Sequence, residues 1–451
     1  MLLTATEIRE ALGKTYDMLR REFDPLVVER PKTNKFGREV FNKHTDVCAA
    51  CGERGKDIEL EAGHVVALEE GGKTTAENLL PLCNRPHKKG KYAGCHKLFD
   101  DGFASVAEMK NAKLAWINGN VDYQLRNRMV DRYIKHRSQP ANIGSGEPNI
   151  IQSLLTKSAT VKAIAAAESL IIKTSDEKEK FRLRLKIIEI MRRRSARGAL
   201  EKSAKLFTVL EKEKSIPEDF KSWFHYEGGY INLLFGNHER ARQRFRLSLD
   251  AIDKGTKYWE GKWASAASVL IQATLAVKGQ DAPFANFRKS LGKIERMTKS
   301  AEELHGKRWL SNCLWNSIRL NLVENKIKEA HESWNKAQEH WHNITVLEGW
   351  DKGSRSTILA IGGELFACSA QKTSDAKNAL RFLVRGLVLL IGARRNHPEG
   401  IRDLLFATER MLYLIGKRSD AKIVHDVALR TRDGSSWIAP YKTNDKSSVP
   451  I

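Results

Sequence analysis

The chain is expected to be mainly α-helical, with a small metal-bound module near the N-terminus followed by a long α-helical solenoid. Three observations predict this. Four of the six cysteines fall between Cys48 and Cys95. From Ile150 to about Arg432, apolar residues recur at helical spacing, broken by short turns. Proline is sparse, at 11 in 451 residues, so few helices are interrupted.

Taken in order, residues 4–23 predict an amphipathic helix, with Ile8, Leu12, Tyr16 and Leu19 on one face and Thr4 with Glu7 as a capping box. Residues 24–38, carrying Pro25, Pro31 and Gly37, predict a loop. A short helix then leads into a knuckle at Cys48 and Cys51. Two cysteines separated by two residues can place both thiolates on one tetrahedral ion. Cys83 and Cys95 supply the other pair. His87 is a rival to Cys95, because its spacing from Cys83 also suits a ligand; the residues after Cys95 fit a helix start better. The stretch IELEAGHVVAL alternates and is β-branched, so it reads as a strand carrying His64. A polar turn, EEGGKTTAE, precedes Asn78, and His96 follows Cys95 to open the helix HKLFDD.

Residues 102–137 predict two helices, and the Pro-, Gly- and Ser-rich 138–149 a linker. The expected domains are therefore 1–37 (N-terminal helix and loop), 38–137 (the metal module with its trailing helices), 150–432 (the helical repeats) and a disordered tail, 433–451. Within the repeats, turn residues recur at Gly236, Gly279, Asn325, Thr373 and Gly416. Ala241, Ala330, Ala379 and Ala421 sit where helices would approach closely. WFHYEGGYINLLFGNHERARQRFRLSL (223–249) resembles a tetratricopeptide repeat, although the period of about 43–48 residues is longer than the 34 of that family. Cys313 and Cys368 lie in apolar runs and are expected in the core, as are Trp223, Trp263 and Trp334.

The net charge is +22, and only +4 of it falls in residues 1–140. An excess this large points to an acidic polymer as partner; a solvated surface that keeps the chain soluble is the plainer alternative. The candidate nucleic-acid contacts are Arg85, Lys88, Lys89 and Lys91 in a basic loop, and Arg192, Arg193, Arg194 and Arg197 in the densest basic run. No apolar run reaches 18 residues, so no membrane span is expected. The first residues meet charge too early for a secretory signal. A reducing, cytoplasmic setting follows, in which clustered cysteines mean metal more often than disulfide.

The order His64, Asn78, His96, interleaved with four cysteines, resembles the HNH endonucleases over roughly residues 38–118. The resemblance implies a ββα-metal finger and hydrolysis of phosphodiester bonds in DNA. It casts His64 as general base, Asn78 as the residue orienting that base or its loop, and His96 as ligand of a catalytic Mg²⁺, Mn²⁺ or Ni²⁺. Histidine titrates near neutrality and can take a proton from water, while a divalent ion absorbs charge on the leaving oxygen. The four cysteines would hold a structural Zn²⁺. Many members carry Asp or His before the first His; here that residue is Gly63. Asp100 is the candidate replacement ligand, with Glu61 as another. The ending CHKLFDDGFASVAEMKNAKLAW resembles HNH modules of bacterial restriction and antiphage effectors, which implies a defence role, with the repeats sensing, docking a protein partner or self-associating. The alternative is a catalytically inactive zinc finger and helical scaffold within a nucleoprotein assembly. RNA as substrate is not excluded by the sequence.

Overall fold

A computed structural model describes residues 3, 5–29, 47–53, 59–84, 93–138, 160–193, 198–213, 215–254, 259–300, 303–345, 352–393 and 401–431. The expected linker after Ser138, which ends a helix, the tail, Thr4 with its capping box, and the short helix before Cys48 lie outside them. The described residues are overwhelmingly helical, with a two-stranded sheet at the cysteine-rich module.

The first helix, α1 (Ala5–Phe23), buries the predicted stripe: Ile8, Leu12, Tyr16 and Leu19 are all at most 4% exposed. It is kinked at Gly13, where φ is +48°. The start of the expected loop is instead a helical turn, α2 (Pro25–Val28). Asp24 caps it by accepting from the Leu26 amide at 3.1 Å, and Pro25 at N1 loses no helical hydrogen bond.

The module pairs β1 (Leu60–His64) antiparallel with β2 (Leu79–Cys83), with Gly63 opposite Leu80 and His64 opposite Leu79. The predicted strand is thus shorter than its apolar pattern, because Val65 to Leu68 turn away into the connecting loop. The second strand is an unbroken apolar run, buried at every position, whose period cannot be told from a helix. Three helices follow: α3 (Cys95–Asp100), α4 (Val106–Ile117) and α5 (Tyr123–Ser138). A complete capping box, Ser105 with Glu108, starts α4. Lys113 of α4 is buried and donates to the carbonyls of Ala76 and Leu79 at 2.9 and 2.6 Å, stapling the helix to the sheet.

The helical array comprises α6 (Thr160–Lys173), α7 (Glu177–Arg193), α8 (Ala199–Glu211), α9 (Glu218–Leu234), α10 (His238–Asp250), α11 (Trp259–Lys278), α12 (Phe284–Ser300), α13 (Glu303–Val323), α14 (Ile327–His342), α15 (Lys352–Ser369), α16 (Thr373–Ala393), α17 (Ile401–Leu414) and α18 (Arg418–Arg430). Each helix from α9 onward packs on the next, and α11, α13, α15 and α17 also pack in series. A single hairpin cannot bury both sides of its apolar face, so neighbours cover it. The same turn closes three hairpins. Gly236, Asn325 and Gly416 have φ of +76°, +57° and +81°. The amide after each bonds five residues back, from Asn237 to Asn232, Lys326 to Asn321 and Lys417 to Leu412, at 2.8–2.9 Å. Four residues further on stand Ala241, Ala330 and Ala421, all 0% exposed. Thr373 departs from the expectation: it is the first residue of α16, not a turn.

Close helix approach is sharpest at Gly362, where a Cβ would collide with Cη2 of the buried Trp334. Gly292 in α12 has nothing within 4 Å of its would-be Cβ. Helix propensity alone favours Gly→Ala at both by about 1 kcal/mol. Urea denaturation is therefore expected to show Gly292→Ala stabilised, and Gly362→Ala destabilised by about 1–3 kcal/mol through overpacking. Cys313 and Trp334 are buried, and Cys368 and Trp263 pack against the same cluster, as expected. Trp223 packs against Phe220 in another.

The first helix packs against the last helices of the array. α1 shares one apolar cluster with α16, α17 and α18. Leu3 forms a parallel bridge with Thr431, and Thr15 donates to Asp420 at 2.8 Å.

Candidate active site and metal centre

The four predicted cysteines converge. Cys48 and Cys51 lie on a turn closed by the Gly52 amide to Cys48 at 2.8 Å, Cys83 ends β2 and Cys95 starts α3. Their sulfurs all lie within 4.8 Å of one another. Cys51 and Cys83 are 3.9 Å apart, and four thiolates at zinc–sulfur distance have edges of roughly 3.8 Å. Amides of Cys83 and Cys95 donate to the sulfurs of Cys48 and Cys83 at 3.4 and 3.3 Å, and the Arg126 guanidinium donates to Cys95 at 3.3 Å. By themselves these thiols cannot share protons evenly. Hydrogen bonds from Cys48, Cys51 and Cys95 hold Cys83 far below the ordinary thiol range, whereas contacts with Cys48, Cys51 and Cys83 push Cys95 far above it. A divalent ion such as zinc would bind all four as thiolates, and the donor set fits it. Among the described residues Cys95 completes the set; the rival His87 lies outside them.

His64 ends β1, and its Nε2 is 3.0 Å from Oγ1 of the buried Thr74. With Nε2–H donating there, Nδ1 keeps its lone pair. Burial, then the nearby His96, push the His64 pKa down to about 4, against a smaller opposing pull from Glu29. The imidazole is therefore neutral at pH 7 and able to accept a proton.

Asn78 closes the loop between the strands. Its Oδ1 accepts from the Val66 amide at 2.8 Å, and Nδ2 donates to the carbonyls of Val66 and Lys73, both at 2.9 Å. Three bonds from one amide hold both ends of the segment that carries Thr74.

His96, on α3, has Nδ1 2.8 Å from Glu61 Oε2, and Asn84 donates to Glu61 Oε1 at 2.7 Å. With Nδ1–H donating to the carboxylate, Nε2 is left for another partner, the usual arrangement behind a metal-binding imidazole. Asp100, one turn along, brings Oδ2 to 3.7 Å from that Nε2. Gly63 faces the same nitrogen: a Cβ there would sit 3.4 Å from His96 Nε2 and 2.8 Å from Leu82 Cδ1. The buried glycine lets the strand, Leu82 and the imidazole pack this closely, and it cannot itself supply a ligand. His96 and Asp100 can hold a second divalent ion, with Glu61 behind the ring.

Glu61 was legible in the sequence by its period of two from Gly63, which puts both on one strand face. Thr74 carries no such signal, being one polar residue of a polar turn.

The basic run of α7 divides. Arg192 is 5% exposed, donates from Nε and Nη2 to Glu227 at 2.6 and 3.1 Å, and lies 4.4 Å from the Tyr230 ring centroid. The expectation that it contacts nucleic acid is corrected: α7 packs on α9, and the guanidinium is sealed between them as the counter-charge of a buried carboxylate. Arg193 is 55% exposed and pairs with Glu189 at 2.6 Å. Arg194, Arg197, Arg85, Lys88, Lys89 and Lys91 lie outside the described residues.

Among the described residues no helix is long and apolar enough to cross a membrane. No match was found among curated proteins or solved structures. The family comparison agrees with the geometry of the module: residues 48–91, from the first knuckle cysteine past His64 and Asn78, match the family model of the HNH endonuclease.

Proposed function

We propose that the chain is a metal-dependent endonuclease that hydrolyses phosphodiester bonds of DNA, with the helical array positioning it on a partner or substrate. The observation that carries this is the pairing, in one module, of a neutral His64 backed by Thr74 with a His96 whose Nδ1 is held by Glu61 and whose Nε2 lies 3.7 Å from Asp100. His64 would take the proton of the attacking water through Nδ1. Asn78 would hold the loop that orients it. A Mg²⁺, Mn²⁺ or Ni²⁺ ion on His96 and Asp100 would supply charge stabilisation at the leaving oxygen. The Cys48, Cys51, Cys83 and Cys95 set would carry a structural Zn²⁺ that fixes β2 against α3.

The net charge of +22 supports a polyanionic substrate. The stacked hairpins with their recurring turn support a tetratricopeptide-like array, a common platform for protein partners. An antiphage role rests on resemblance to defence-type HNH modules. The test is digestion of plasmid DNA and of a folded RNA, side by side, with Mg²⁺, Mn²⁺ or Ni²⁺, comparing the wild type with His96→Ala. DNA cleavage dependent on the metal and lost in the variant is expected. No cleavage of either polymer under any metal would leave the scaffold alternative standing.

A further inference from the structure

The loop between β1 and β2 is held from two sides. Asn78 holds it from within the module. The second grip comes from α16, more than 300 positions along the chain. Arg381 donates from Nη2 to the Gly72 carbonyl at 2.7 Å and reaches the Leu68 carbonyl at 3.4 Å. Its Nη1 lies 4.0 Å from Glu29, the residue that ends α2. One residue before Gly72, a Cβ at Gly71 would be in contact with Phe382 at 3.5 Å. Two residues after it comes Thr74, whose hydroxyl holds His64. The loop has little slack, since a Cβ at Gly72 would collide with the Val66 carbonyl oxygen. Guanidinium, Gly72 carbonyl, Thr74 hydroxyl and imidazole thus form a short chain from the array to the candidate base.

We propose that Arg381 is a positioning residue for His64, and that the helical array sets the geometry of the nuclease centre through it. This rests on the endonuclease assignment above. A guanidinium suits such a role, because it is planar and permanently charged, and it can aim Nη2 at the loop carbonyls while Nη1 faces Glu29. A shift of α16, as when a partner bends the array, would move the loop and with it the imidazole. Misplacing a reacting group by about 1 Å costs on the order of 10²-fold in rate.

The experiment uses the full chain and three variants: Arg381→Met, Arg381→Lys and Thr74→Val. Single-turnover plasmid cleavage separates kcat from KM, and ¹⁵N–¹H spectra of the histidine rings report the hydrogen bond at His64 Nε2. Arg381→Met is expected to lower kcat by about 10–100-fold at unchanged KM, and to shift the His64 ring resonances in the direction seen for Thr74→Val. Arg381→Lys, which keeps the charge but loses the guanidinium's reach and the separate Nη1 approach to Glu29, should fall between the wild type and Arg381→Met; it also serves if Arg381→Met does not fold. The double variant Arg381→Met/Thr74→Val should be no slower than the slower single variant, because both act on one ring. Unchanged kcat with an unmoved His64 signal, or multiplicative losses in the double variant, would overturn the proposal. The ring spectra are informative even in a chain that cleaves nothing, so a failed endonuclease assignment is distinguishable from a failed positioning role.

Discussion

Replacing His64 with alanine is expected to slow plasmid cleavage by about 10²–10⁴-fold, with zinc content and melting temperature close to those of the wild type. The side chain is only half-buried, its ring nitrogen bonds a single hydroxyl, and the β1 backbone pairing does not depend on it. The pH profile sharpens the test. The His64 pKa is pushed down to about 4 by burial and by His96. The active neutral form therefore prevails throughout pH 5–8, and log kcat/KM should show no break from this group near 6.5, the value of an exposed histidine. Activity should fall only as pH drops towards 4. Stability follows the same sign. Between pH 6.5 and 4 the unfolded chain binds a proton that the folded chain refuses, so this group's contribution is present above 6.5 and drains away as pH falls through that window. A break near 6.5 that disappears in the alanine variant would show an exposed base and contradict the buried geometry.

Cys83→Ser is expected to have the larger effect on structure. Cys83 stands at the centre of the thiol cluster, accepting from the Cys95 amide and approached by Cys51. Structural zinc contributes about 10–16 kcal/mol of apparent binding energy in small fingers, comparable to the whole stability of a typical domain. The two-stranded sheet would not persist alone. Elemental analysis should find one zinc per wild-type chain and none in the variant. Limited proteolysis should open residues 47–138 while the array, with its own apolar clusters, stays protected. Prolonged chelation should reproduce both results. A variant that retains stoichiometric zinc and cleaves normally would remove the cysteine cluster from the account.

Much of the architecture was legible from local pattern. The stripe Ile8, Leu12, Tyr16 and Leu19 follows helical period and is buried as one face. Gly236, Asn325 and Gly416 announce turns because only glycine, and less readily asparagine, adopts positive φ at low cost. Where pattern failed, a long-range contact had decided. Pro25 and Pro31 suggested a loop, yet Asp24 caps a helical turn at Pro25 and sits against Arg385 of α16 at 3.8 Å. The apolar run 79–83 has no period of its own, and only pairing with β1 makes it a strand. Arg192 belonged by composition to a basic run, but burial against Glu227 turned it into an internal counter-charge.

For the candidate site, the residue types and their chain order determined the chemistry available: four thiolates at chelating spacing, two imidazoles and an amide. These are short-range properties, set by covalent spacing and side-chain acidity. Which nitrogen of each imidazole meets Thr74 or Glu61, that Glu61 and not Asp100 stands behind His96, and that Thr74 and Arg381 support the His64 loop were decided by the tertiary structure alone. Hydrogen bonds between residues tens to hundreds of positions apart depend on strand register and helix packing, and no local pattern in the chain encodes those distances.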